Sequence, residues 1–306
     1  MRILFFGDIV GKPGRQALKE LLPALRREHA PDVVIANGEN ASGGIGLTAE
    51  TLRELLGMGI DVLTTGNHVW KHRDLYGPLD KEPRLLRPAN YPAGAPGRGL
   101  GVYDLPCGAR LAVLNLCGTT YMDPLDCPFR TAEALLAQLE AADGGASGAS
   151  GGTGTSGVPP DPPAPPAPVI RIVDFHAEAT SEKKALGWFL DGRVSAVIGT
   201  HTHVQTADAM LLPGGTAYLT DAGMCGVEAS VLGMDHKVIV DRFLTRLPQR
   251  FRPATGRGSL NGVLLDVDEV TGRARSIRAL RVACPTAEQP GAEGGEPAGA
   301  GHVLPG

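Results

Sequence analysis

Thr64-Thr65-Gly66-Asn67-His68 follows the apolar pair Val62-Leu63 and runs into Val69-Trp70. This is the order of a buried strand, a glycine at its carboxyl end, two polar side chains and the predicted start of a helix. The glycine lets the backbone bend tightly, the asparagine offers an amide oxygen to a cation, and the histidine offers an imidazole that can move a proton. A lone Gly-Asn-His triplet also describes an ordinary asparagine turn beside a surface histidine. Four other strand ends decide between the two.

Upstream, residues 2–6 form a hydrophobic strand ending in Gly7-Asp8. Pro13 then opens a helix with Ala17, Leu18, Leu21, Leu22 and Leu25 on one face, and Pro23 should kink or split it. Residues 32–36 are a second strand, after which the loop 37–44 carries Glu39 and Asn40. Thr48 is a good N-cap and Leu47 can staple to Leu52, so residues 49–57 should be helical with Leu52, Leu55 and Leu56 inward. Residues 61–65 are the third strand. The alternation of strand and helix predicts an α/β fold, a sheet covered by helices.

Downstream, short strands near 85–86, 101–105 and 111–116 lie between Pro/Gly-rich turns and suggest a second, more antiparallel sheet. A helix is predicted over 131–142. Residues 169–175 form a strand ending at His176, and a helix carrying Leu186, Phe189 and Leu190 follows a Thr180 or Ser181 cap. The strand 194–198 ends in Gly199-Thr200-His201-Thr202-His203, where an extended backbone would point alternate histidines to one side. Strands near 216–220, 262–267 and 276–282 close the sheets, with Thr271-Gly272 as a hairpin turn.

From about 143 to 168 the chain is almost wholly Gly, Ser, Thr, Ala and Pro, and cannot build a packed core. Strand patterns resume directly afterwards. The stretch therefore reads as an insertion within one domain spanning 1–285, and 286–306 reads as a tail of like character. Because loop entropy grows only slowly with length, replacing the insertion by a short Gly-Ser linker is expected to leave melting temperature and turnover unchanged. A large loss of either would mean that it packs on the body.

The 306 residues are 42% hydrophobic and 20% charged, with a net charge of −4, a composition ordinary for a soluble globular protein. No Lys/Arg run offers a footprint for long nucleic acid. No run approaches a membrane span, and the apolar start is too short for a signal peptide. The five cysteines include no Cys-x-x-Cys pair, which predicts reduced thiols and a cytoplasmic setting. A homo-oligomer is compatible with all of this.

Asp8, Glu39, Asn67, His176, His201 and His203 come from five strand ends. In open α/β sheets the carboxyl ends of strands border the functional crevice, so these side chains can meet. Two carboxylates, one amide oxygen and three imidazoles suit two cations, and the nitrogen content favours Fe, Mn or Zn over Mg or Ca. His29, His72, His236 and His302 lack such placement and read as structural.

The series Gly7-Asp8, Gly38-Glu39-Asn40, Gly66-Asn67-His68, His176 and Gly199 to His203 resembles the motif ladder of calcineurin-like metallophosphoesterases. It is most similar to the YmdB-like bacterial branch, which hydrolyses cyclic nucleotides. The runs Asp174 to Thr180, Gly199 to Ala207 and Thr220 to Met224 carry that narrower likeness. Val10 stands where the wider superfamily has the histidine of Asp-x-His, and Glu39 where it has a bridging aspartate. Both are features of the branch; the long insertion is not.

The resemblance implies a four-layer α/β/β/α sandwich of two mixed sheets flanked by helices, and a di-metal phosphodiesterase acting on 2',3'- or 3',5'-cyclic nucleotides or similar small diesters. It implies one metal on Asp8, Glu39 and His203, the other on Glu39, Asn67, His176 and His201, with Glu39 bridging and iron the leading candidate. His68 would then be the general acid, and Asn40 and Thr202 would orient phosphate oxygens. A phosphomonoesterase or nuclease of the same fold, or a non-catalytic metal-binding interaction module, are the competing readings; the full ligand set argues against the last.

Overall fold

The computed structural model describes residues 1–144 and 169–285. Nearly all of the 143–168 insertion, and the 286–306 tail, lie outside the described residues. Two mixed sheets face one another. The first runs β2 (Asp8–Ile9), β11 (Met224–Val227), β12 (Gly258–Val267), β1 (Arg2–Phe6), β3 (Val33–Asn37) and β4 (Val62–Thr64), with β13 (Ala274–Ala283) also on β12. The second runs β5 (Leu100–Asp104), β6 (Arg110–Cys117), β7 (Val169–His176), β8 (Ala196–Thr200), β10 (Ala217–Leu219) and β9 (Met210–Leu211).

The period of two along each strand divides the apolar side chains between faces. In β1, Ile3 and Phe5 point into the core between the sheets, while Leu4 and Phe6 pack with Leu18, Leu22, Leu52 and Leu55 of α1 (Gly11–His29) and α2 (Ala49–Gly57). In β7, Ile170 and Ile172 face the central core. Val173 and Phe175 face Leu136, Leu186 and Leu190, which belong to or follow α4 (Pro128–Gly144) and α5 (Thr180–Phe189). Three apolar layers thus separate four layers of structure, the α/β/β/α sandwich. Burying a Phe of this kind contributes about 1.5–3 kcal/mol.

The second sheet is more parallel than the sequence suggests. Strands β6, β7, β8 and β10 run parallel, and only the edge pairs β5/β6 and β9/β10 are antiparallel. The helical crossovers α4 and α5 make β6, β7 and β8 parallel, since parallel neighbours need a long connection, and the stretch 201–216, which includes β9, carries the chain back to β10. Leu85 bridges Leu63 and so extends the first sheet, not the second.

Pro23 neither splits nor ends α1. It and Lys19, whose carbonyl loses the helical bond, both lie on the exposed face, where solvent can take up the lost bond. Thr48 caps α2 by accepting from the Thr51 amide at 3.2 Å, whereas α5 begins after Ala179 without a side-chain cap. Phe189 is left exposed. The remaining helices are α3 (Tyr76–Lys81) and α6 (His236–Thr245).

Candidate metal centre

Because β1, β3 and β4 run parallel, as do β7 and β8, their carboxyl ends gather at one edge of the sandwich. Asp8 opens β2 just after β1 and Glu39 follows β3. Asn67 follows β4, His176 closes β7 and His201 follows β8. The first three come from one sheet and the histidines from the other.

His176 lies at the middle. Its Nε2 is 3.1 Å from Glu39 Oε2, 3.0 Å from Asn67 Oδ1 and 3.0 Å from His201 Nδ1. Glu39, His176 and His201 each offer a ligand atom within 4.8 Å of the others. His203 Nε2 is 4.0 Å from Asp8 Oδ1 and 3.1 Å from Asn40 Nδ2. Each imidazole has its far nitrogen engaged by a protein oxygen: His176 Nδ1 by Thr200 Oγ1 at 2.9 Å, His201 Nε2 by Glu178 at 3.1 Å and His203 Nδ1 by the Leu232 carbonyl at 3.1 Å. Holding one ring nitrogen in this way presents the other as a lone pair, as metal-binding histidines require.

The donor set fits a cation. Asp8 Oδ1 is buried and has no hydrogen-bond partner among the described residues, although a carboxylate oxygen shut away from water is costly to leave unpaired. Burial, outweighing the pull of His203 and His176, raises the Asp8 pKa. Burial also works to raise Glu39, but His176 and His68 draw it well below the usual carboxylate range. For His176 burial works downward, yet Glu39 and Asp8 carry it up to about 9. Burial and then the His176 charge push His201 down to about 3. Glu39 and His176 thus favour one another's charged forms, whereas burial draws Asp8 towards its neutral one.

Residues 67–70 form a turn, not the expected helix start, which waits until residue 73. The turn wraps Glu39, with the His68 amide donating to Oε2 at 3.3 Å. His68 Nδ1 lies 2.9 Å from Asn40 Oδ1 and 3.2 Å from Glu39 Oε1, and its side chain is one-third exposed at 33%. Asn40 Nδ2 donates to Glu39 Oε1 at 2.8 Å. Thr202, expected at phosphate, instead commits its hydroxyl to Asp221 at 2.8 Å.

Gly66 is required for space. A Cβ there would stand 2.2 Å from Glu39 Oε2 and 2.4 Å from His176 Nε2. Gly66→Ala is therefore expected to displace both side chains, lowering metal content as well as stability, the latter by about 1–3 kcal/mol as for other overpacked sites. Elemental analysis beside a thermal melt checks this; native metal stoichiometry in the variant would refute it.

His201 and His203 do not sit on an extended backbone. Their φ angles are 100° and 66°, a sparsely populated region for non-glycine residues that costs about 1–3 kcal/mol each and clusters at functional sites. Asp221 holds the loop, accepting from the Thr202 amide at 3.0 Å and from Lys183 Nζ at 2.7 Å, with Lys183 and Asp221 both buried. Asp221, Lys183, Asn37 and Asp174 were not marked by the sequence as site residues. For Asn37 and Asp174 the available signal was a polar residue directly following an apolar one near the end of a buried strand; Lys183, flanked by Glu182 and Lys184, and Asp221, in a loop after Thr220, carried none.

A four-layer sandwich that gathers carboxylates, an amide and imidazoles at its strand ends is a metallophosphoesterase. The sequence profile of the YmdB-like protein family matches residues 4–146 and 165–280, and the chain belongs to that family. It is 46% identical over 282 residues, 92% of this chain and 97% of the relative, to the 2',3'-cyclic-nucleotide 2'-phosphodiesterase of Bacillus subtilis. Among solved structures it is similar to a hypothetical protein from Thermus thermophilus, at 39% identity and a TM-score of 0.79, covering 93% of this chain and 100% of that one. A novel phosphatase from Mycoplasma pneumoniae gives a TM-score of 0.79 at 31% identity, covering 92% and 93% of the two chains.

Proposed function

We propose that this chain is a metal-dependent phosphodiesterase that opens small cyclic diesters, 2',3'- or 3',5'-cyclic nucleotides, to monoesters. The observation that carries the reading is the buried Asp8 Oδ1, which has no hydrogen-bond partner among the described residues and lies beside His203, with Glu39, His176 and His201 converging next to it. The name and activity of the Bacillus subtilis relative support it. Asp8, Glu39 and His203 would hold one cation and Glu39, Asn67, His176 and His201 the other, with iron preferred and Mn or Zn as alternatives. Cations held there would polarise the phosphoryl oxygens and supply a nucleophile at neutral pH.

The protein's own groups do the rest. With Nδ1 turned to Asn40 Oδ1, His68 keeps Nε2 for substrate, and a proton delivered from it would neutralise the leaving ribose oxygen as the P–O bond breaks. Asn40 fixes that ring and Glu39 together, so we assign it to orientation. All five cysteines are free, which supports the reducing setting of a cytoplasmic enzyme; among the described residues no helix is long and apolar enough to cross a membrane.

The test is elemental analysis of protein purified without added metal, beside hydrolysis of bis-nitrophenyl phosphate, nitrophenyl phosphate and a cyclic-nucleotide panel. Two transition metals per chain and turnover of diesters are expected. Faster turnover of the monoester would favour a phosphatase, and a metal-free, inactive chain would end the reading.

A further inference from the structure

Beneath the metal centre lies a polar knot that crosses the apolar interface between the sheets. Asn37 and Thr64 come from β3 and β4 of the first sheet, Asp174 and Thr200 from β7 and β8 of the second, and all four are fully buried. Asp174 is the hub. Its Oδ2 accepts from the Thr64 hydroxyl and from Asn37 Nδ2 at 3.0 Å, and its Oδ1 accepts from Thr200 Oγ1 at 2.7 Å. The three donors are neutral, so this buried carboxylate has no paired cation within the knot. Its burial costs stability that an apolar residue of the same size would not.

Two arms reach up from the hub. Thr200 has one hydroxyl proton and gives it to Asp174, so it can only accept from His176 Nδ1 at 2.9 Å. This places a ring proton on Nδ1 and leaves Nε2, which faces Glu39 Oε2 and Asn67 Oδ1, as the nitrogen open to a cation. On the other arm Asn37 Nδ2 is held by Asp174 while its Oδ1 accepts from the Glu39 amide at 3.1 Å. One carboxylate thus fixes a histidine from one sheet and a glutamate from the other.

We propose that Asp174 is a positioning residue that, through Thr200 and Asn37, sets the tautomer of His176 and its alignment with Glu39 for metal capture. The inference rests on Glu39 and His176 being metal ligands. A native protein that takes up no metal would defeat that assignment, whereas the comparisons below are made against a native protein that does.

The test uses Thr200→Val and Thr200→Ser, folded state being checked by melting temperature and metal affinity by chelator competition. The valine variant keeps the shape and loses the hydroxyl, and its affinity should fall roughly ten- to a hundredfold, as for other outer-shell partners. The serine variant keeps the hydroxyl and should stay within about threefold of native. A folded valine variant with native affinity, or equal losses in both variants, would overturn the proposal. If the valine variant does not fold, folded Asp174→Asn decides in its place, since unchanged affinity there is equally fatal. In the native protein loaded with zinc, nitrogen-15 spectra should show His176 ligated through Nε2 with its proton on Nδ1, and ligation through Nδ1 would refute the proposal independently of any variant.

Discussion

Glu39→Gln is expected to lower occupancy of both metal positions and to cut diester turnover by roughly a thousandfold or more, the several kcal/mol that metal charge supplies to the reaction. Glu39 lies directly beside His176 of one proposed ligand group and is tied through Asn40 Nδ2, itself 3.1 Å from His203 Nε2, to the other. Oε2 lies 3.1 Å from His176 Nε2, while Oε1 faces Asn40 and His68. Glutamine preserves the length and one acceptor but removes the charge that offsets a cation. The fold should survive, because a fully buried carboxylate carries a desolvation cost that the amide largely escapes. Metal analysis and melting temperature on the same preparation separate the two effects. A folded variant retaining two tightly bound ions per chain would show that Glu39 does not bridge.

The ligand positions were legible because each stands where an apolar run stops, and parallel strands bring such stops to one edge. Asp8, Glu39 and His176 need nothing more than that rule. The supporting residues were hidden by the same patterns. Asp174 interrupts Val-Ile-Arg-Ile-Val-Asp-Phe as a solvent-facing residue would, and only the packing of both faces of β7 reveals that no solvent is there. Nor does the sequence announce the left-handed backbone at His201 and His203. Glycine or asparagine would signal it locally, but here the backbone is held by residues distant in sequence, Asp8 accepting from the His201 amide and Asp221 from the Thr202 amide. The strand order of the second sheet was hidden for a related reason. It is set by crossovers between distant segments, and short strands between turns do not encode it.

His68→Ala is expected to leave metal content near native while lowering cyclic-nucleotide turnover by roughly a hundred- to ten-thousandfold, the range of general acid-base groups. The ring touches Asn40 and Glu39 but turns its free nitrogen away from them, so its loss removes a proton donor without removing a charge from the ligand set. The size of the defect should follow the leaving group. Nitrophenolate departs without a proton, so bis-nitrophenyl phosphate should suffer far less than a cyclic nucleotide, whose leaving group is a basic ribose alkoxide. Equal losses on both substrates would mean that His68 binds or stabilises phosphate charge instead. Loss of a metal ion from the variant would move His68 into the ligand shell, and the proton would then have to come from another group at the open side of the site.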